Sequence, residues 1–254
     1  MIEPRILLYD LEVSRDIVEG YGNKWEFKVV KTTRHQELMS FAWKWLGEKK
    51  IHYLSRHDFD TYGAFVFALW ELLDEAHIAI AHNGIKFDNR MANRFFIKEN
   101  LTPPSPFRSI DTLQAARRNF KFQGNSLNEL GEYLEVGQKE KITYADLEED
   151  FMSDNPSRKT LKAMEKYNKQ DIVLLEAVYL KLRPYIRNHP NLAVVSQRPE
   201  VCGVCMGTNF QSRGTIETNS ATYRAFRCTT CGTTQRLRLQ DKEHRHDKSV
   251  YVNV

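Results

Sequence analysis

Two groups of residues in this sequence could do chemistry, and the first begins with Asp10 and Glu12. These two acids follow a short apolar run at residues 6–8 and stand two positions apart. In a strand, side chains two apart point to the same side, so both carboxylates would meet at the carboxyl end of the strand. Ligands of α/β sheets usually bind at that end. The alternative is a polar strand end that enters a loop, and these two residues alone do not decide between them.

Asp88 and Asp171 are two further acids in unusual places. Asp88 follows a strand and a glycine-containing turn where a helix should begin, so a helix N-cap is its alternative role. Asp171 lies four residues after Tyr167, on one helix face and next to an apolar stripe. A buried acid there needs a partner, and a salt bridge or a metal ion would serve equally well.

Taken together, the four acids predict a two-metal site. Carboxylates converging from separate elements are the hard oxygen ligands that Mg²⁺ and Mn²⁺ prefer. Two such ions about 3.5–4 Å apart can stabilise both the attacking and the leaving oxygen of a phosphodiester. Without metal the carboxylates would repel one another, which should raise the pKa of some of them.

The second group consists of the four cysteines of the chain: Cys202, Cys205, Cys228 and Cys231. They form two Cys-x-x-Cys pairs separated by 22 residues, a spacing that can hold one tetrahedral Zn²⁺. A zinc ion would supply much of the folding energy of a segment with few large apolar side chains. Disulfides are less expected in a chain that looks intracellular.

The excess positive charge lies in the same segment as the cysteines. Residues 196–254 hold nine Lys/Arg and five Asp/Glu, whereas residues 1–195 hold 28 of each. Arginines and aromatic side chains near the cysteines would suit phosphate contact and base stacking, and a protein partner fits nearly as well. These side chains are Arg213, Arg224, Arg227, Arg236, Arg238, Tyr223 and Phe226.

Composition indicates an ordinary globular protein, with 41% apolar and 28% charged residues. No apolar run approaches the roughly 20 residues that a membrane span needs. The first residues do not read as a signal peptide. We therefore expect an intracellular, cytoplasmic protein without a membrane partner.

Apolar periodicity predicts the elements that must position these residues. Strands are expected at residues 5–12, 39–46, 51–55, 78–82 and 107–110. Helices are expected at residues 62–77, 89–99, 111–119, 126–134, 143–152 and 157–185. This order indicates an α/β domain with a central sheet, and short strands are expected near the cysteines. The predicted organisation is a domain at residues 1–187, a linker at 188–199 and a cysteine-containing segment at 200–254.

Three motifs in this order resemble those of the DEDD (DnaQ-like) 3′–5′ exonuclease superfamily. They are Asp10-x-Glu12, Asn83-x-x-x-Phe87-Asp88 and Tyr167-x-x-x-Asp171. The tyrosine spacing resembles the DEDDy branch, as in the proofreading domains of B-family DNA polymerases. Residues 41–48 look like ribonuclease H-like exonucleases that phages and bacteria often encode. The resemblance covers roughly residues 5–185.

The resemblance implies a fold and an activity. The fold would be a ribonuclease H-like mixed sheet of five strands flanked by helices. The activity would be hydrolysis at 3′ ends of single-stranded DNA, releasing nucleoside 5′-monophosphates. The C-terminal segment resembles a zinc ribbon with one structural Zn²⁺, and its expected partner is nucleic acid or a replication or repair protein.

The same resemblance implies roles for individual residues. Two Mg²⁺ or Mn²⁺ ions would be held by Asp10, Glu12, Asp88 and Asp171. Tyr167 would orient or help deprotonate the attacking water. The candidates for substrate contact are Asn83, Leu11 and Phe87, although core packing is the favoured role for Phe87.

Several neighbouring residues have less specific roles. Asp111 is expected to be a helix N-cap or to support the site rather than to bind metal. His82 is expected to be a polar strand-end residue, because the histidine branch of the family places its histidine where Lys166 stands. The stretch at residues 117–122 combines basic and aromatic side chains, and packing is favoured over base stacking. The charged loop at residues 139–141 is expected to be solvated.

Two other functions remain open at this point. One is a ribonuclease or a structure-specific endonuclease on the same fold, since the sequence does not separate DNA from RNA. The other is a nucleic-acid-binding protein that acts through the cysteine segment and has a vestigial nuclease site. The complete set of four acids and Tyr167 argues against the vestigial site.

Overall fold

The computed structural model describes residues 3–23, 26–138, 144–218, 221–238 and 252–253. The strands are β1 (Ile6–Val13), β2 (Ile17–Gly22), β3 (Phe27–Arg34), β4 (Leu38–Trp45), β5 (His52–Ser55), β6 (Ile78–Ala81), β7 (Arg108–Asp111), β8 (Phe210–Glu217), β9 (Thr222–Cys228), β10 (Thr234–Arg238) and β11 (Val252–Asn253). The helices are α1 (Tyr62–Asp74), α2 (Asp88–Lys98), α3 (Thr112–Asn119), α4 (Leu127–Tyr133), α5 (Tyr144–Phe151), α6 (Arg158–Leu182) and α7 (Leu192–Val195). Short 3₁₀ helices span Arg56–Asp58 and Arg183–Tyr185.

A mixed sheet of five strands forms the centre of the larger part of the molecule. Its order is β5-β4-β1-β6-β7, so β1 is the middle strand. The pairs β1/β4 and β4/β5 are antiparallel, whereas β1/β6 and β6/β7 are parallel. Helices cover both faces, and the prediction of a mixed sheet of five strands flanked by helices is confirmed.

The alternation of side chains along β1 divides the core into two layers. Ile6 and Leu8 pack in a cluster that includes the apolar stripe of α6. Leu7, Tyr9 and Leu11 pack in a second cluster with α1 and α2. Because side chains alternate along a strand, Asp10 and Glu12 continue the row of Ile6 and Leu8 and face the layer that contains α6.

The C-terminal cysteines lie on and beside a small sheet of order β11-β10-β9-β8. The prediction of short strands near the cysteines is therefore confirmed. We call residues 200–238 the cysteine module. It is joined to the rest through α7, where Leu192 is 1% exposed and packs in the cluster around α6. The Leu192 N–H donates to the carbonyl oxygen of Gly203 at 2.7 Å, and Met206 packs against the same cluster. These contacts fix the cysteine module against the end of α6.

The sequence did not predict the antiparallel hairpin formed by β2 and β3. The hairpin pairs Ile17 with Arg34 at its base and Gly22 with Phe27 near its tip. Nearly all of its residues are exposed, so it lacks the one-sided apolar pattern that marks a strand packed on a core. It is inserted directly after β1, whose end carries Asp10 and Glu12.

Most predicted elements agree with the observed ones within a few residues. The helix expected at residues 62–77 ends at Asp74, and the one expected at 157–185 ends at Leu182 before a 3₁₀ turn. Residues 188–199, expected to be a linker, contain α7. The loop expected at residues 139–141 lies outside the described residues. None of the described helices has the length and apolar character that a membrane crossing requires.

Candidate active site and metal centres

The end of β1, which carries the first two acids, extends beyond one of the two strands that pair with β1. Pairing with β6 ends at Leu8, whereas pairing with β4 continues to Val13. The last residues of β1 therefore extend past the parallel half of the sheet. Asp10 is half-buried there and Glu12 is 8% exposed.

Asp171 joins these two acids from the long helix α6. It is 3% exposed and is followed by Ile172, which is fully buried in the core. One carboxylate oxygen from each of Asp10, Glu12 and Asp171 lies within 4.8 Å of the others. Three carboxylates held this closely in a largely buried position form a donor set that fits Mg²⁺ or Mn²⁺.

Asn168 is part of this site, although the sequence analysis did not identify it. Its side chain is completely buried, and its Nδ2 donates to Oδ2 of Asp10 at 2.8 Å. Its Oδ1 accepts from the hydroxyl of Ser40 at 3.3 Å, and Ser40 is the β4 partner of Glu12. Asn168 therefore fixes the Asp10 carboxylate from one helical turn before Asp171. The sequence signal that could have identified Asn168 is its position three residues before Asp171, which places both side chains on one face of the helix.

Asp88 lies next to the three-acid cluster without being a member of it. It is 2% exposed, and its Oδ1 accepts from the Leu11 N–H at 3.2 Å. That N–H lies beyond the last residue of β1 that pairs with β6, so Asp88 takes the place of a strand partner. Burial raises the pKa of Asp88 to about 7, and the nearby Asp111 carboxylate adds a smaller rise. A cation beside Asp88 would oppose this shift by favouring the ionised form.

Asp111 holds the turn that leads from β6 to α2. Its side chain accepts from the N–H groups of Leu113 and Gln114 at 3.0 and 3.1 Å, which confirms the predicted N-cap role. It also accepts from the N–H of Asn83 at 3.1 Å and from that of Ile85 at 3.3 Å. Asn83 has a φ of 68°, a left-handed conformation that Asn tolerates better than most residues. Asp111 thus fixes the conformation of the turn that carries Asn83.

An open groove of about 630 Å³ runs past Asp10. The side chains that line it include Asp10, His82, Asn83, Arg117, Gln123 and Asn125. Asn83, predicted to contact substrate, therefore lies in the same groove as the first acid. His82 lies at the end of its strand as expected, with Nδ1 2.9 Å from the hydroxyl of Thr112. We call this the active-site groove.

The other three residues singled out for the site have different surroundings. Tyr167 is half-buried on α6, one turn before Asp171. Phe87 is 39% exposed, so the prediction that it packs in the core was wrong, because the chain turns into α2 at this residue. Leu11 is 4% exposed and packs between β1 and the α1/α2 layer. Its side chain faces away from the acids. Its observed contact at the site is the hydrogen bond that its backbone N–H donates to Asp88.

The four cysteines form the second cluster. Their Sγ atoms all lie within 4.8 Å of one another. Cys202 and Cys231 are 3.7 Å apart, and Cys205 and Cys228 are 3.6 Å apart. A tetrahedral ion with Zn–S bonds of about 2.3 Å separates its sulfurs by about 3.8 Å, whereas a disulfide needs about 2.05 Å. The spacing therefore fits a four-sulfur zinc centre and not a pair of disulfides.

Hydrogen-bond donors surround these sulfurs. The Val204 N–H points to Cys202 Sγ and the Gly207 N–H to Cys205 Sγ, each at 3.4 Å. The buried side chain of Gln235 donates Nε2–H to Cys202 Sγ at 3.2 Å. Donors of this kind stabilise thiolates, the form in which cysteine binds metal.

Comparison with known proteins places this geometry in a family. Residues 24–183 match the RNase_H superfamily. The structure is similar to that of the family B DNA polymerase from the hyperthermophilic archaeon Pyrobaculum calidifontis, with a TM-score of 0.53 and 13% sequence identity. The similarity covers 72% of this chain and 25% of the polymerase, so the chain spans about a quarter of that protein. Curated proteins give no match. Since the family match covers more than half of the chain, this protein belongs to the RNase_H superfamily.

Proposed function

We propose that this protein is a metal-dependent 3′–5′ exonuclease of the tyrosine (DEDDy) branch, acting on single-stranded DNA. Membership of the RNase_H superfamily supports a nuclease-type function. The observation that carries the proposal is the convergence of Asp10, Glu12 and Asp171 within 4.8 Å at the end of the central strand. Asp88 is the fourth acid, held beside them by the backbone of Leu11.

The chain's own residues have separate tasks in this proposal. Asp10, Glu12, Asp88 and Asp171 would hold two divalent ions, which when bound stabilise the charge that develops on the attacking and leaving oxygens. Asn168 fixes the orientation of Asp10. Tyr167, one turn before Asp171, would orient the attacking water and help to remove its proton. Asn83 would contact the terminal nucleotide in the active-site groove.

The 3′-to-5′ direction and the tyrosine branch rest on the order and spacing of the three motifs. The tyrosine stands four residues before the last acid, and Lys166 stands where the histidine branch has its histidine. Hydrolysis in this branch would release nucleoside 5′-monophosphates from a 3′ end.

We also propose that the cysteine module is a zinc ribbon with one structural Zn²⁺. The sulfur separations of 3.6 and 3.7 Å support this assignment. So do the N–H donors around Cys202 and Cys205. The proposed organisation is therefore a nuclease domain over residues 1–187, a connection over 188–199 and a ribbon with its tail over 200–254.

The test is digestion of a 5′-labelled single-stranded DNA oligonucleotide and its RNA twin in Mg²⁺, in Mn²⁺ and without either ion. We expect a metal-dependent ladder that shortens from the 3′ end and is faster for DNA. A covalently closed single-stranded circle should resist cleavage. Cleavage of the circle would indicate an endonuclease, and faster digestion of the RNA twin would indicate a ribonuclease. Binding without cleavage of any substrate would contradict the proposed activity.

A further inference from the structure

A cleft of about 610 Å³ lies between the small sheet of the cysteine module and the chain that follows α6. One wall comes from the chain that follows α6 and includes Tyr185 and Arg187. The other wall comes from the small sheet and includes Arg213, Arg227 and Gly232. We call it the arginine cleft. The packing of α7 and Met206 against the core fixes the positions of the two walls relative to each other.

The arginine cleft is positively charged on both sides. Arg187, Arg213 and Arg227 are all exposed, and no Asp or Glu occurs among the described residues that line the cleft. Within the part of the chain that the structure describes, none of these three guanidinium groups forms an ion pair. A four-thiolate zinc centre carries a formal charge of −2, and Cys231 lines the cleft, so three arginines leave the cleft positive when zinc is bound.

Aromatic side chains connect the arginine cleft with the helix that lines the active-site groove. Tyr185 is 59% exposed, and its ring lies 5.1 Å from that of Phe120. Phe120 stacks on Phe122 at 5.0 Å, and both are partly buried against the core, as the packing interpretation of residues 117–122 predicts. Tyr185 lines the cleft and is largely exposed, so an unpaired base could stack on its ring.

The active-site groove and the arginine cleft lie on opposite sides of the last turn of α3. Arg117 lines the groove that contains Asp10, and Asn119 lines the arginine cleft. These residues are two apart on one helix, so about one helix diameter, roughly 10–12 Å, separates the two surfaces. A flexible strand of a few nucleotides can span that distance and enter both.

We propose that the arginine cleft binds the part of a single-stranded nucleic acid that lies several nucleotides upstream of the 3′ end held near Asp10. The inference rests on the proposed nuclease function for the direction of the strand. Arg187, Arg213 and Arg227 contact phosphates, and Tyr185 stacks on a base. The cysteine module thereby extends the footprint of the enzyme beyond the active-site groove and makes binding dependent on substrate length.

The experiment compares a three-nucleotide with a twelve-nucleotide oligothymidylate, each with a 5′ fluorophore and phosphorothioate linkages at the 3′ end to slow hydrolysis. Affinity is measured by fluorescence anisotropy on the zinc-loaded full chain, over a range of salt concentrations. The test variant is Arg213→Gln with Arg227→Gln. The matched control is Arg224→Gln. Arg224 is also exposed on β9, but its side chain points to the opposite face of the sheet from Ala225 and Arg227, which line the cleft.

In the double variant, we expect affinity for the twelve-nucleotide strand to fall roughly tenfold and the salt slope to flatten by about 1.4, or about 0.7 per lost phosphate contact. Affinity for the three-nucleotide strand and the zinc content should stay unchanged, and Arg224→Gln should cost less than twofold. Wild-type affinity and slope in the double variant would overturn the proposal. Equal losses in the control would also overturn it, because they would indicate diffuse charge. A cleft that serves an acidic protein would give the first of these results. Absence of hydrolysis by the wild type would refute the nuclease function and leave this binding comparison readable.

Discussion

Removal of the Asn168 side chain should reduce catalysis without removing any of the proposed metal ligands. In Asn168→Ala, Asp10 loses the hydrogen bond at 2.8 Å that fixes its carboxylate, and Ser40 loses its acceptor. A hydrogen bond to a charged group contributes about 1.5–3 kcal/mol. Loss of a residue that orients a metal ligand typically costs about 10- to 100-fold in metal affinity or activity. We therefore expect kcat/KM to fall by about 10- to 100-fold.

The assay combines cleavage kinetics with Mn²⁺ titration by calorimetry. Asn168→Ala should lose Mn²⁺ affinity in parallel with kcat/KM, a result that a purely structural role would not give. Asn168→Asp keeps the volume, but its ionised side chain cannot donate to Asp10, so it should be impaired as well. Asn93→Ala, on the exposed side of α2, is the control. Wild-type kcat/KM and Mn²⁺ affinity in both Asn168 variants would refute the positioning role.

Three further changes test other parts of the structure. The folded pKa of Asp88 is about 7 and its unfolded value is about 3.9, so the free energy of unfolding of the metal-free protein should fall by up to about 4 kcal/mol as pH rises from 4 to 7. Asp88→Asn should remove this fall in urea titrations, and an equal pH slope in the variant would contradict the assignment. Burial lowers the pKa of His189 to about 4, so the contribution of neutral His189 to stability is complete above pH 6.5, and up to about 3 kcal/mol of it is lost as pH falls to 4. His189→Gln should weaken this loss of stability in acid, measured by thermal unfolding across that pH range. The same loss in the variant would contradict the role of His189. Cys228→Ser should lower zinc content below one per chain by atomic absorption, and a retained equivalent of zinc would disprove the four-sulfur centre.

The sequence predicted the parts of the site that depend on local spacing. The alternation of a strand was enough to place Asp10 and Glu12 on one side, and α6 carries Asp171 to them because its apolar stripe packs on the same face of the sheet. The N-cap role of Asp111 also followed from a local pattern, an acid between a strand and a helix. Each of these inferences needed only the local sequence pattern around the residue.

The features that the sequence did not predict depend on contacts between distant elements. Asn168 looks like an ordinary polar helix residue until α6 packs on β1 and brings its amide to Asp10. Phe87 was expected to pack in the core, but the turn into α2 leaves it 39% exposed. The arginine cleft forms because α7 docks the cysteine module beside the end of α6. Nothing in the local sequence around Arg187 or Arg213 indicates that the two side chains line opposite walls of one cleft.

The most direct test of the central claim is a count of Mn²⁺ ions bound to the zinc-loaded protein in the presence of a single-stranded oligonucleotide with a phosphorothioate 3′ end. Electron paramagnetic resonance on wild type and on Asp171→Asn would give this count, and the same samples would be assayed for cleavage of a normal strand. We expect two Mn²⁺ per wild-type chain, and fewer in the variant together with a loss of cleavage. Full Mn²⁺ occupancy and wild-type cleavage in Asp171→Asn would show that the acidic cluster is not the metal centre of a nuclease.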